Sequence, residues 1–146
     1  MSLIVQKYGG TSVGNLERID NVAEKVIDWH KRGHQIVVVV SAMSGETDRL
    51  LGLAKSITPR PSPRELDVLL ATGEQVTIAL LCIALEKRGC PARSYTGGQV
   101  PILTDDAFNK ARIEKIAADA MRADLNAGRR EALAAYQGVD ETRAPL

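Results

Sequence analysis

Lys7 stands two positions before the glycine pair Gly9-Gly10, and Thr11 and Ser12 follow at once, in the decapeptide VQKYGGTSVG. A cation, two residues without Cβ and two hydroxyls within six positions suit an anion site, in which charge, backbone N–H and O–H donors act together. Gly9 and Gly14 have the spacing of a Walker A loop, but Asn15-Leu16 occupy the places where Lys-Ser/Thr is required. No third glycine completes G-x-G-x-x-G, so the dinucleotide fingerprint fails as well. A plain tight turn with a surface lysine would use the same residues.

Three further stretches carry candidate chemistry. VVSAMSGETD, residues 39–48, runs from an apolar stretch into Ser41, Ala42, Ser44 and Gly45 before a helix near Thr47. It reads either as a second concave loop or as ordinary helix capping by Ser44 or Thr47. In ATGEQVT, Glu74 opens the most apolar segment of the chain. Either the macrodipole of a helix start favours it there, or it serves as an acceptor for a ligand ammonium. SYTGGQVPILTDD offers a glycine turn and Asp105-Asp106, which read as a solvated turn. His30 and His34 look structural, no Ser-His-Asp or Cys-His arrangement can be assembled, and H-x-x-x-H and C-x-x-C spacings are absent. No protein-held metal is expected.

The elements that must position these residues follow from periodicity. Leu3-Ile4-Val5 leads into Lys7 as a short strand ending at the glycine pair. Leu16, Ile19, Val22, Ala23, Val26, Ile27 and His30 mark one helix face, and Gly33 suits its C-terminal cap. Gln35 to Val40 is a β-branched run fit for a strand buried on both faces of a parallel sheet. Strand, helix and strand in this order make a right-handed βαβ unit, so both small-residue loops should leave the same sheet edge. A second helix through Leu50, Leu51, Ala54 and Ile57 ends at Thr58-Pro59-Arg60-Pro61. Ser62-Pro63-Arg64-Glu65 then matches a capping box, for a helix to about Ala71. Gly73 separates that helix from an all-round apolar one over Glu74 to Arg88. Ala92 to Tyr95 and Val100 to Leu103 read as short strands flanking a Thr96-Gly97-Gly98 turn. Ile113 and Ile116 fit strand or helix, Ala118 to Ala127 is helix-prone, and Gly128 could end it.

Composition excludes several classes. The 146 residues are 45% hydrophobic, 25% charged and formally +1, enough for one buried core and no reason for nucleic acid or an anionic membrane. Aromatics at 3% leave few stacking platforms. Cys82 and Cys90 fit reduced thiols in a cytoplasmic protein. Val76 to Leu85, the longest apolar run, is too short to span a bilayer.

K-Y-G-G-T-S-V-G, V-V-S-A-M-S-G-E-T-D and L-A-T-G-E-Q together resemble the aspartate kinases of the amino acid kinase family, and the match continues through SYTGGQVPILTDDAFNKARI. The resemblance implies a three-layer αβα sandwich with a mainly parallel sheet, carbamate kinase-like and incomplete here. It implies ATP-dependent phosphorylation of the L-aspartate β-carboxylate, with Mg²⁺, at the head of lysine, threonine and methionine biosynthesis. By position, Lys7 is similar to the family's phosphate-contacting lysine, and Gly9, Gly10, Thr11 and Ser12 to the loop that cradles the transferred group. Ser41 and Thr47 are similar to residues lining the amino-acid site, and Glu74 to the carboxylate that receives the substrate ammonium. A homo-oligomer, with no nucleic-acid or membrane partner, is the implied assembly.

That chemistry agrees with the residue types. A carboxylate nucleophile with pKa ~4 is already ionised at neutral pH, so no catalytic histidine is needed. What the reaction needs is positive charge and oriented donors around a phosphoryl group between two anionic oxygens. The resemblance covers about residues 2–128, which makes 1–128 the N-terminal lobe of the kinase domain. Residues 129–146 read as a divergent C-terminal tail, with Arg129 to Ala135 as helix or frayed end rather than buried strand. The nucleotide-binding half and the regulatory ACT domains are expected to be absent. Two alternatives stand beside catalysis: a non-catalytic lobe acting in binding or assembly, and an amino acid kinase of different substrate.

Overall fold

Every second residue of β1 (Leu3–Tyr8) turns inward, and each has a partner on β2 (Gln35–Val40), with Ile4 beside Ile36 and Tyr8 beside Val40 in parallel register. The computed structural model describes residues 2–96, 99, 102–104, 113–116, 119–127, 130–134 and 138–139. Between the two strands runs α1 (Leu16–Lys31). Asn15 caps it by accepting from the Arg18 N–H at 2.9 Å, and Gly33, at φ +90°, lets the chain reverse into β2. Its buried face is Ile19, Val22, Ala23 and Val26. β2 is covered on both sides, as its unbroken valine run requires. Ile36, Val38 and Val40 join the α1 core, whereas Val37 joins Tyr95, Met121 and Leu125.

α2 (Glu46–Ile57) leaves β2 through Gly45, whose φ of +79° explains the glycine there. The two helices expected on either side of Gly73 are one, α3 (Pro63–Lys87), 25 residues long. Glycine costs about 1 kcal/mol against alanine inside a helix, and that local penalty suggested a break. Packing outweighs it, because Gly73 is buried where the helix crosses the turn after β2. Pro63 takes the first turn as expected, but the Ser62 side chain makes no capping hydrogen bond. By length and composition α3 could cross a membrane. Here it packs on α1, α2 and the sheet, burying Ile78, Leu81, Cys82 and Leu85. Leu81 is fully enclosed, so Leu81→Ala should cost about 2–5 kcal/mol in chemical denaturation.

β3 (Ala92–Tyr95) does not form a hairpin with the next strand. It belongs to a four-stranded, all-parallel sheet in the order β1-β2-β6-β3, whereas β4 (Ile102–Thr104) lies in a second sheet, antiparallel to β5 (Ile113–Ile116) and parallel to β7 (Gly138–Val139). Ile113 and Ile116 thus resolve as strand, and α4 (Asp119–Asn126) matches the expected helix. The larger correction is β6 (Arg130–Ala134). Expected as helix or frayed tail, it sits inside the parallel sheet, with Val38 opposite Ala132 on one side and Ser94 opposite Ala132 on the other. Two backbone ladders outweigh the helix propensity of Arg-Glu-Ala-Leu-Ala. Helices α1 and α3 cover one sheet face and α4 the other, giving three layers. Expectations for Gly97, Gly98, Val100, Asp105, Asp106, Gly128 and residues 135–137 lie outside the described residues.

Candidate active site

Parallel pairing brings the ends of β1 and β2 to one rim, and the turns that follow them touch. Turn one, Gly9 to Gly14, holds a short 3-10 helix over Gly10–Val13 in which the Ser12 N–H donates to the Gly9 carbonyl at 3.0 Å. Turn two, Ser41 to Gly45, begins with the Ser41 N–H donating to the Tyr8 carbonyl at 3.2 Å. A Cβ on Gly10 would stand 3.1 Å from the Ala42 carbonyl oxygen, and one on Gly14 would stand 3.2 Å from the Ser44 Cβ. Neither Gly9 (φ −75°) nor Gly14 (φ −66°) uses a left-handed conformation. Gly10 and Gly14 pack closely against turn two, where a side chain would be tight, while the space beside Gly9 is open. Thr11 and Ser12 are exposed on turn one, whose Thr11 carbonyl accepts from the Arg18 guanidinium at 3.0 Å.

The third wall is the middle of α3. A Cβ on Gly73 would lie 2.9 Å from the Ala42 Cβ. The next residue, Glu74, is only 6% exposed. Burial raises its carboxyl pKa above the usual range, opposed by its own N–H and that of Ala42. Glu74 therefore does not open a helix, and the macrodipole reading of it falls: eleven residues of α3 precede it. A buried carboxylate costs free energy unless something compensates it, and a ligand cation is one such compensation. Helix capping by Ser44 or Thr47 falls too, since Gly45 is the cap of α2 and no side chain bonds there. Thr47 is exposed in the first turn of α2, beside Glu46, whose carboxylate the hydrogen-bonded Arg49 holds below the usual range at 2.7 Å.

Lys7 is exposed, one residue before the end of β1. Strand alternation puts Ile4, Gln6 and Tyr8 toward α1 and α3, so Lys7 projects from the opposite sheet face, in register with Val39. It reaches the rim from the side away from Glu74. The structure thus joins turn one, turn two and Glu74 directly, with Lys7 on the strand leading into them. Sequence reading missed Ala42 and Gly73, which lock these parts together; a glycine inside a long apolar helical pattern was the available signal. His30 and His34 are at the far end of α1, away from this rim, with His30 Nδ1 3.2 Å from the His34 carbonyl oxygen. A cleft of about 620 Å³ beside Glu24, Lys25, Asp28 and Arg88 also lies off the rim, and its Arg88 is paired with Asp20 at 2.7 Å.

Comparison with known proteins agrees with this architecture. The chain is 64% identical over 141 residues to an aspartate kinase of Pseudomonas putida, covering 97% of this chain and 34% of that relative. It spans about a third of the length of the curated relatives it matches. The crystal structure of an aspartate kinase from Synechocystis superposes with a TM-score of 0.79 at 45% identity, covering 93% of this chain and 22% of that one. Escherichia coli aspartokinase III in complex with aspartate and ADP shares the fold, with a TM-score of 0.83 at 20% identity over 99% of this chain and 42% of its own. The model of the amino acid kinase family matches residues 2–145, and the chain belongs to that family.

Proposed function

We propose that this chain forms the acceptor side of an aspartate kinase, in which the β-carboxylate of L-aspartate takes the γ-phosphoryl group of ATP to give 4-phospho-L-aspartate. The observation that carries this reading is the contact of two small-residue turns at one sheet rim with a buried carboxylate docked behind them. In this reading Glu74 receives the substrate ammonium, and Ser41 and Thr47 line the amino-acid pocket. Gly9, Thr11 and Ser12 face the phosphoryl group, and Gly10 holds turn two against turn one. Lys7 supplies the positive charge that the transfer needs most, from the opposite side of the rim. One β-carboxylate oxygen forms the new O–P bond as the bond to the nucleotide's leaving oxygen breaks. The displaced charge stays on ADP and no proton has to move.

Among the described residues no group of three or more His, Cys, Asp or Glu could hold a metal ion. In this reading Mg²⁺ accompanies the nucleotide phosphates, and no step at these residues depends on it. The complex of aspartokinase III with aspartate and ADP supports the choice of substrates. The reading includes the opening step of lysine, threonine and methionine biosynthesis in the cytoplasm, with the nucleotide half and ACT domains contributed by sequence beyond these residues. It also includes a homo-oligomer, favoured by the exposure of Ile57, Val76 and Ile83 on the helices.

ATP, Mg²⁺ and L-aspartate with hydroxylamine as trap provide the test. Aspartyl hydroxamate formed by the chain supports the reading. Hydroxamate from a longer version of the chain but not from these residues would rule out catalysis by this lobe alone. Product with another amino acid and none with aspartate would contradict the substrate.

A further inference from the structure

We propose that Gly73 is a positioning residue for the amino-acid site: by presenting no side chain where α3 crosses turn two, it seats Glu74 against the Ala42 backbone and fixes that carboxylate relative to turn one. Glycine is the weakest ordinary helix former after proline, so its place in the middle of a 25-residue helix needs a cause. The surroundings supply one. A methyl there would stand 2.9 Å from the Ala42 Cβ, a separation that carbon atoms do not adopt, and 3.6 Å from both Glu46 Cγ and Leu50 Cδ1. On its other side the Ala42 carbonyl oxygen faces the bare Cα of Gly10, where a Cβ would stand 3.1 Å from it. Ala42 is thus held between Gly10 of turn one and Gly73 of α3. An added methyl forces α3 and turn two apart, and Glu74 is the next residue along α3. Gly52, in α2, is the contrast: a Cβ there would meet nothing within 4 Å.

The identity of the ligand rests on the aspartate kinase reading; the positioning role does not. Two measurements separate them: isothermal titration with L-aspartate, and the Glu74 carboxyl titration followed by ¹³C NMR in the 146-residue chain. Glu46, the neighbouring carboxylate on α2, is held low by Arg49 and titrates apart from it. In Gly73→Ala, the Glu74 carboxyl should titrate lower than in the wild type as water reaches it, and the aspartate Kd should rise about 10- to 100-fold. Adding Ala42→Gly, which removes the opposing methyl, should return both readouts toward wild type. Gly52→Ala should change neither. A Gly73→Ala chain that melts earlier yet titrates and binds like wild type overturns the proposal, as does a folded double variant that stays as weak as the single one. Should Gly73→Ala not fold, the double variant must fold and titrate like wild type, and its failure to do so also overturns the proposal. A wild type that binds no aspartate, while the titration moves and returns as described, removes the ligand reading and upholds the positioning role.

Discussion

Glu74→Gln should leave the chain folded and weaken L-aspartate binding roughly a hundredfold, the equivalent of about 3 kcal/mol for a buried charge pair that loses one partner. Glutamine keeps the size and the hydrogen-bonding oxygen, so neither the α3 packing nor the contact with turn two is lost. What is lost is the negative charge opposite the substrate ammonium. The same substitution should stabilise the ligand-free chain at neutral pH. Burial raises the Glu74 pKa above the usual value of 4.5, so the folded state holds this proton more tightly than the unfolded chain does. The contribution to stability is therefore complete below the ordinary carboxyl pKa and is lost as pH rises through the raised one. Wild type and Glu74→Gln should melt alike at low pH. At neutral pH the ligand-free variant should melt higher, and saturating aspartate should narrow or reverse that gap. Equal aspartate affinity in the two proteins would remove Glu74 from the site.

Lys7→Met should reduce acyl-phosphate formation by about 10²- to 10³-fold, with aspartate affinity changed little. The side chain is exposed, so its removal leaves no hole in the core. Methionine retains an unbranched stem of similar reach, which confines the change to the charge. Because Lys7 and Glu74 approach the rim from opposite faces of the sheet, their substitutions should separate: Glu74 in aspartate binding, Lys7 in turnover. The measurement is hydroxamate release under aspartate saturation, in whichever form of the chain gives product. A loss below tenfold would mean that the transferred group is neutralised elsewhere.

The βαβ unit was legible in the sequence because its signals agree. The helical face ending at Gly33, the unbroken run Gln35 to Val40 and the small-residue turns all point to parallel strands with loops at one rim, and the register bears this out. Two elements were not legible, each for a definite physical reason. β6 has the composition of a helix, and only its two neighbours β2 and β3, distant in sequence, make it a strand. Gly73 has the local signature of a break, and only Ala42, thirty-one residues earlier, shows that its missing side chain is a packing requirement. Residue types singled out Lys7, turn one, turn two and Glu74 as candidates, and the fold gathers the two turns and Glu74 at one rim. They misjudged how Glu74 is held, because a carboxylate after a glycine looks the same at a helix start as in a helix interior. They did not reveal that the bare Cα of Gly10 faces the Ala42 carbonyl, a contact across two turns that no local pattern encodes.

The most direct test of a ligand site built by two touching turns at this rim is an amide chemical-shift map of the chain titrated with L-aspartate. The expected result is saturable perturbation confined to Gly9–Ser12, Ser41–Gly45 and the Gly73–Gln75 segment, abolished in Glu74→Gln. Saturable shifts instead around Glu24, Lys25 and Arg88, with the two turns unmoved, would contradict it.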